Sequence, residues 1–131
     1  MANTLNRAGA SFANGLVRRG AINRGTWSFS GADGNRLLGP NRTDFATFGR
    51  HHLGRRTGTP ANTKQGFSFP FAKKVQGRSM IFVAALRAIR SRAAQQNARD
   101  IFNSAGRLLE AANKKIRKQD EVVKIATSMW K

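Results

Sequence analysis

There is no cysteine in this chain, which removes disulfides, thiolate metal sites and cysteine nucleophiles together. Carboxylates are almost as scarce, six Asp and Glu against 24 Lys and Arg, for a net charge of +18. The six acids (Asp33, Asp44, Asp100, Glu110, Asp120 and Glu121) are scattered, and no two are spaced as a general acid and base. The chain is therefore read as a non-enzyme. Its two histidines, His51 and His52, are adjacent and have no third ligand nearby, so neither a metal nor a cofactor is expected. Long apolar runs are also missing. The longest, Met80 to Leu86, stops at Arg87, far short of the ~20 residues a membrane span needs. Gly31-Ala32-Asp33-Gly34-Asn35-Arg36 lacks the spacing and lysine of a phosphate-binding P-loop. Nothing matches a helix-turn-helix, zinc finger, RRM or KH signature.

What is present is positive charge. A chain this basic is attracted to polyanions, nucleic acid first and an anionic membrane surface second. Arg outnumbers Lys by 16 to 8, and its planar fork suits bidentate contact with phosphate. Residues 1–77 carry 12 bases and 2 acids, and residues 78–131 carry 12 bases and 4 acids, so the charge is no separable tail. The expected contact is with nucleic-acid backbone, driven by counterion release and indifferent to base sequence. Candidate residues are Arg18, Arg19, Arg24, Arg50, Arg55, Arg56, Lys73, Lys74, Arg78, Arg87, Arg90 and Arg92.

Proline is absent after Pro70, and residues 78–131 hold a single glycine, Gly106. Apolar residues there recur at helical spacing. Ile101, Ala105, Leu108 and Ala112 form one register; Ile116, Val123, Ala126 and Trp130 continue it after a stutter. This predicts a long amphipathic helix over 78–131, with Ser79 as N-cap and these eight residues as its packing stripe. Gln95, Gln96 and Asn97 interrupt the stripe, and a hairpin with its turn at 103–106 is the competing reading. A single unbroken rod of ~78 Å could not bury its stripe against itself. It would need other subunits, or a second copy through self-association.

Residues 1–77 hold 12 of the 13 glycines and all three prolines, with no sustained period. They predict an extended, Gly/Arg/Phe-rich basic arm that is disordered alone and orders on a partner. Seven of the nine phenylalanines and Trp27 lie there. Phe67, Phe69 and Phe71 alternate as on one edge of a short strand, which favours packing on protein over base stacking. In residues 1–26, Leu5, Ala8, Phe12 and Leu16 share one helical face while Arg7, Ser11, Asn14 and Arg18 share another, with no acid. That segment resembles a mitochondrial targeting presequence. The reading as a basic arm is preferred, because positive charge does not fall off after residue 26.

The fold expected is mainly α: a long C-terminal helix, or helical hairpin, preceded by an extended and mostly irregular basic arm. The function expected is that of a structural protein binding nucleic-acid backbone inside a large assembly, such as a virion interior or a ribosome-like ribonucleoprotein particle. One alternative is an accessory subunit of an organellar membrane complex in the mitochondrion, with an N-terminal targeting segment and no transmembrane span. Another is a helical, tube-forming DNA-delivery protein.

Overall fold

A computed structural model describes residues 3–129, and it overturns the expectation of an irregular arm. The described elements run β1 (Asn3–Leu5), α1 (Arg7–Arg18), β2 (Ile22–Asn23), α2 (Gly31–Leu38), α3 (Phe45–Arg50), β3 (His52–Arg56), β4 (Phe67–Pro70), β5 (Ala72–Val75), β6 (Arg78–Phe82), α4 (Val83–Gln95) and α5 (Arg99–Met129). The class is α+β rather than mainly α. Some of the glycines and prolines read as signs of disorder form turns between elements (Gly20, Gly39, Pro40, Gly58 and Gly77), while others, such as Gly9, Gly34, Gly54 and Pro70, lie inside helices and strands. The strands are two to five residues long, too short to display a period.

The strands form two small sheets, ordered β1-β3-β4 and β2-β6-β5. All pairings are antiparallel except that of β2 with β6. The run Phe67–Val75 belongs to both sheets, and Phe71 is the hinge between them. Its N–H donates to the His51 carbonyl (3.0 Å) and its carbonyl accepts from the Phe82 N–H (3.0 Å). The expected strand-like edge at Phe67, Phe69 and Phe71 is real in β4. Its alternation breaks at Phe69, whose backbone is left-handed (φ 58°). Phe69 and Phe71, the latter just beyond β4, are both buried in the core.

The main core draws one large, fully buried side chain from each of several elements: Leu16 on α1, Leu53 on β3, Ile81 on β6, Leu86 on α4 and Ile101 on α5. A smaller cluster of Leu37, Leu38 and Phe48 packs beside Phe29, Phe45 and Phe67. Residues 3–26 are thus structural. Helix α1 buries Ala13, Leu16 and Val17, and Leu5 lies in β1 rather than on the helix. At Gly9 the helix meets the His52 carbonyl so closely that a Cβ would collide with it. Asn6 pins the start of the helix there, its Nδ2 donating to the carbonyls of Gly49 (2.8 Å) and His52 (3.0 Å).

The C-terminal region is neither one rod nor a hairpin turning at 103–106. Ser79 lies within β6, and α4 starts only at Val83. The chain turns at Gln96–Ala98, where Asn97 takes the left-handed conformation (φ 57°). The Ala98 N–H bonds the Ala93 carbonyl (2.8 Å) and the Asn97 N–H bonds that of Ala94 (3.3 Å). This is a Schellman stop with Asn where glycine is more usual. Gly106 sits inside α5, where a Cβ would only touch the Arg90 side chain. Ile101, Ala105, Leu108 and Ala112 face the core, Ile116 is half-buried, and Val123 and Ala126 are exposed. Trp130 lies outside the described residues. Beyond Ile116 the helix projects from the domain, with Val122, Val123, Ile125 and Met129 between 61% and 80% exposed. No described helix is long and apolar enough to cross a membrane.

Candidate nucleic-acid interface

Because α1 buries Gly9, Ala13, Leu16 and Val17, helical geometry turns Arg7, Ser11, Asn14 and Arg18 outward as one row. With Ala10 they line a shallow groove that contains no acid. Arg18 also belongs to a second depression, a cleft of about 680 Å³ between the end of α1 and the middle of α5. Its charged lining is Arg18, Lys114, Lys115, Arg117, Lys118 and Glu121. Gly20, left-handed at φ 74°, lies at this junction beside the end of the Gln119 side chain. Arg24 reaches Asp120 across the same junction (3.6 Å), and Lys114 lies 3.6 Å from Glu110. The groove and the cleft share Arg18 and so make one track of six cations: Arg7, Arg18, Lys114, Lys115, Arg117 and Lys118.

The twelve candidate contacts scatter over the surface and do not form one site. Arg18 is on this track, Arg19 is exposed beside it, and Arg24 is exposed in its ion pair. Three are engaged inside the fold. Arg55 donates to the carbonyls of Arg56 (2.7 Å), Gly66 (2.7 Å) and Thr59 (2.6 Å), and lies over the Phe67 ring. Lys73 donates to the Ser28 carbonyl (2.6 Å), sits 3.6 Å from Asp33 and lies over Trp27 and Phe82. Arg90 packs 4.7 Å over the Phe102 ring, and its buried Nε has no partner. Arg50 donates to Thr47 Oγ1 (3.1 Å) and covers Phe12, yet remains exposed. Arg56 is exposed with one long bond to the Gln65 carbonyl (3.4 Å). Arg78, Arg87 and Arg92 are exposed on β6 and α4. Lys74 lines a different cleft, beside Arg36 and Arg42.

Sequence reasoning passed over Arg7, Lys114, Lys115, Arg117 and Lys118. The signal was there: four cations within residues 114–118. A heptad reading treats such residues as the solvated side of a rod. Only the packing of α1 beside α5 gives them a common direction.

Both histidines are buried. His51 Nδ1 donates to the Thr47 carbonyl (2.7 Å) and His52 Nδ1 to that of Phe48 (2.7 Å). The two rings thereby bond carbonyls in the last turn of α3, of which that of Phe48 also accepts the His51 N–H (3.2 Å). A carbonyl only accepts, so His51 carries its proton on Nδ1, and its bare Nε2 accepts from the Ser79 hydroxyl (2.8 Å). Burial pushes both imidazoles down to about 4, against the backbone bonds that favour the charged form. Both rings are neutral at pH 7. Ser79 and His51 line none of the clefts described above. Among the described residues, no three His, Cys, Asp or Glu side chains are grouped to hold a metal ion.

Asp33 is the one largely buried acid. It completes a capping box on α2, accepting from the Ser30 N–H (2.9 Å) and hydroxyl (3.1 Å), and it also binds Arg36 (2.7 Å). The Ser30 backbone bond, with help from Lys73 and Arg36, holds its carboxyl below the usual range despite burial. No protein-family profile matches the chain, and no curated protein or solved structure matches it either.

Proposed function

We propose that this chain is a structural, non-enzymatic protein that binds nucleic-acid backbone within a larger assembly, a virion interior or a ribosome-like particle. One observation carries the reading. In a molecule of charge +18, six cations from α1 and α5 lie along one track whose lining includes a single carboxylate, Glu121. Such a track suits a chain of phosphates, with Ser11 and Asn14 adding neutral donors between the charges. The lack of a helix-turn-helix, zinc-finger, RRM or KH signature in the sequence favours backbone over base contact. The projecting end of α5 carries exposed Val122, Val123, Ile125 and Met129, an apolar surface suited to a neighbouring subunit.

The organellar alternative is less well supported. Loss of a leader over residues 1–26 would take Ala13, Leu16 and Val17 out of the core and strip β1 and β2 from their sheets. That loss is hard to reconcile with a stable mature domain.

The test is a salt titration of duplex binding. Six neutralised phosphates predict that log K falls with log salt at a slope of about −5. Replacing Lys114, Lys115, Arg117 and Lys118 by alanine, four exposed or half-buried helix positions, should flatten the slope to about −2 and weaken all sequences alike. A slope near zero in the native protein, or sequence preference altered by the substitutions, refutes backbone binding through this track.

A further inference from the structure

A separate cleft of about 950 Å³ lies where the end of α2 meets the β5–β6 hairpin. Its polar lining is Asn35, Arg36, Arg42, Lys74 and Gln76, with no carboxylate among the lining residues. Asn35 is oriented for donation: its Oδ1 accepts from Lys64 Nζ (2.8 Å), which leaves the amide NH2 free to donate. Arg36 uses one guanidinium nitrogen on Asp33 (2.7 Å) while its side chain stays 60% exposed, so other donors of its fork remain available. The charged lining of the cleft is therefore cationic throughout, with the Asn35 amide NH2 as a further donor.

Backbone conformation marks the same place. Gln76 (φ 52°) and Gly77 (φ 80°) form the two-residue turn between the paired Val75 and Arg78. Arg42 (φ 56°) closes a turn in which its N–H bonds the Gly39 carbonyl (3.0 Å). Left-handed positions favour glycine or asparagine, and other residues are strained there. Two further non-glycine residues among those described share this conformation. Phe69 is held by the core, and Asn97 ends α4 with a residue suited to the task. Gln76 follows from the hairpin, because a two-residue turn of this hand requires φ > 0 at both central positions; Arg42, exposed and lining the cleft, has none of these explanations. Strain kept at Arg42, beside the cations and amides of the cleft, points to ligand binding.

We infer that this cleft is a phosphate-binding site separate from the α1–α5 track. Arg36, Arg42 and Lys74 neutralise the phosphate, and Asn35 and Gln76 donate to it. The phosphate belongs either to the end of a nucleic-acid strand or to a small phosphorylated molecule. This inference does not rest on the nucleic-acid reading above.

The experiment titrates the full chain with pyrophosphate, following the backbone amide NMR signals of Asn35, Arg36, Arg42, Lys74 and Gln76. The same titration is run on Arg42→Gly and Arg42→Ala. Saturable shifts at these residues are expected. Both variants should weaken pyrophosphate about tenfold or more, and Arg42→Gly alone should also raise the unfolding midpoint, because glycine accepts this conformation freely. Competition by a 5′-phosphorylated but not a 5′-hydroxyl oligonucleotide assigns the site to a strand end. Displacement by neither oligonucleotide assigns it to a small molecule. Unmoved signals at saturating pyrophosphate, or native affinity in both variants, overturn the inference. Equal loss of 5′-hydroxyl duplex binding in Arg42→Gly overturns it too, since the cleft would then be part of the α1–α5 track.

Discussion

His51 and His52 show how packing reverses a residue's ordinary role. A histidine at the end of a helix is normally favoured when charged, by roughly 0.3–1 kcal/mol. Here both rings are buried, and desolvation outweighs that preference, pushing each down to about 4 from an ordinary 6.5. The unfolded chain therefore takes up protons between pH 6.5 and about 4 while the folded chain does not. Stability is full above pH 6.5 and falls as pH drops through that window, by up to about 1.4 kcal/mol per pH unit for each histidine. Urea unfolding at pH 7, 5.5 and 4.5 should show the midpoint falling stepwise. His51→Gln with His52→Gln should remove most of the dependence; an unchanged pH profile in that variant would place the titrating groups elsewhere. In the sequence these residues are simply an adjacent pair with arginines nearby. Nothing in the local pattern says that Phe12, at 4.7 Å from His51, and Phe48, at 4.4 Å from His52, will enclose them.

Helix α5 is divided by its surroundings rather than by its sequence. From Ile101 to Ala112 the apolar stripe is in the core, and from Arg117 to Met129 every residue is exposed. The described tie to the domain beyond Gln119 is the Arg24–Asp120 pair at 3.6 Å, with both side chains more than 60% exposed. Such pairs contribute about 0–1 kcal/mol. A chain ending at Gln119 keeps all six cations of the track. It should unfold within about 1 kcal/mol of the full chain, and residues 120–129 of the full chain should exchange amide hydrogens fastest among the helices. A loss above about 2 kcal/mol would mean that the projecting segment packs on the domain. Periodicity identified the stripe and its residues correctly as far as Ala112. It could not say where the stripe stops being covered, because the same spacing serves a core and a free face. The turn was legible only in Asn97, one residue whose left-handed tolerance is invisible to a periodicity count.

At the scale of the whole molecule, the excess of cations has two opposite consequences. The described ion pairs involve four cations at most, so self-repulsion in the folded state is largely uncompensated. Raising ionic strength from about 0.1 M to 1 M shortens the screening length from about 10 Å to about 3 Å. Thermal stability should therefore rise with added NaCl, while affinity for duplex DNA falls over the same range. Melting curves and binding isotherms in matched buffers test the pair of trends. A stability that falls with salt would show that attractive pairs, not repulsion, dominate the fold's electrostatics.

Composition alone determined the charge and the absence of thiol and Cys-type metal chemistry, because each depends only on which residues are present; their order determined the lack of a membrane-spanning run. Periodicity determined that residues 101–112 are helical with one buried face, since that signal is local and long. The tertiary structure alone decided that residues 3–77 are folded, that the histidines are neutral, and which cations point the same way. Two- to five-residue strands carry too little pattern to be seen, and they persist because a core assembled from α1, β3, β6, α4 and α5 stabilises them collectively. Direction in space, unlike charge, is a property of packing.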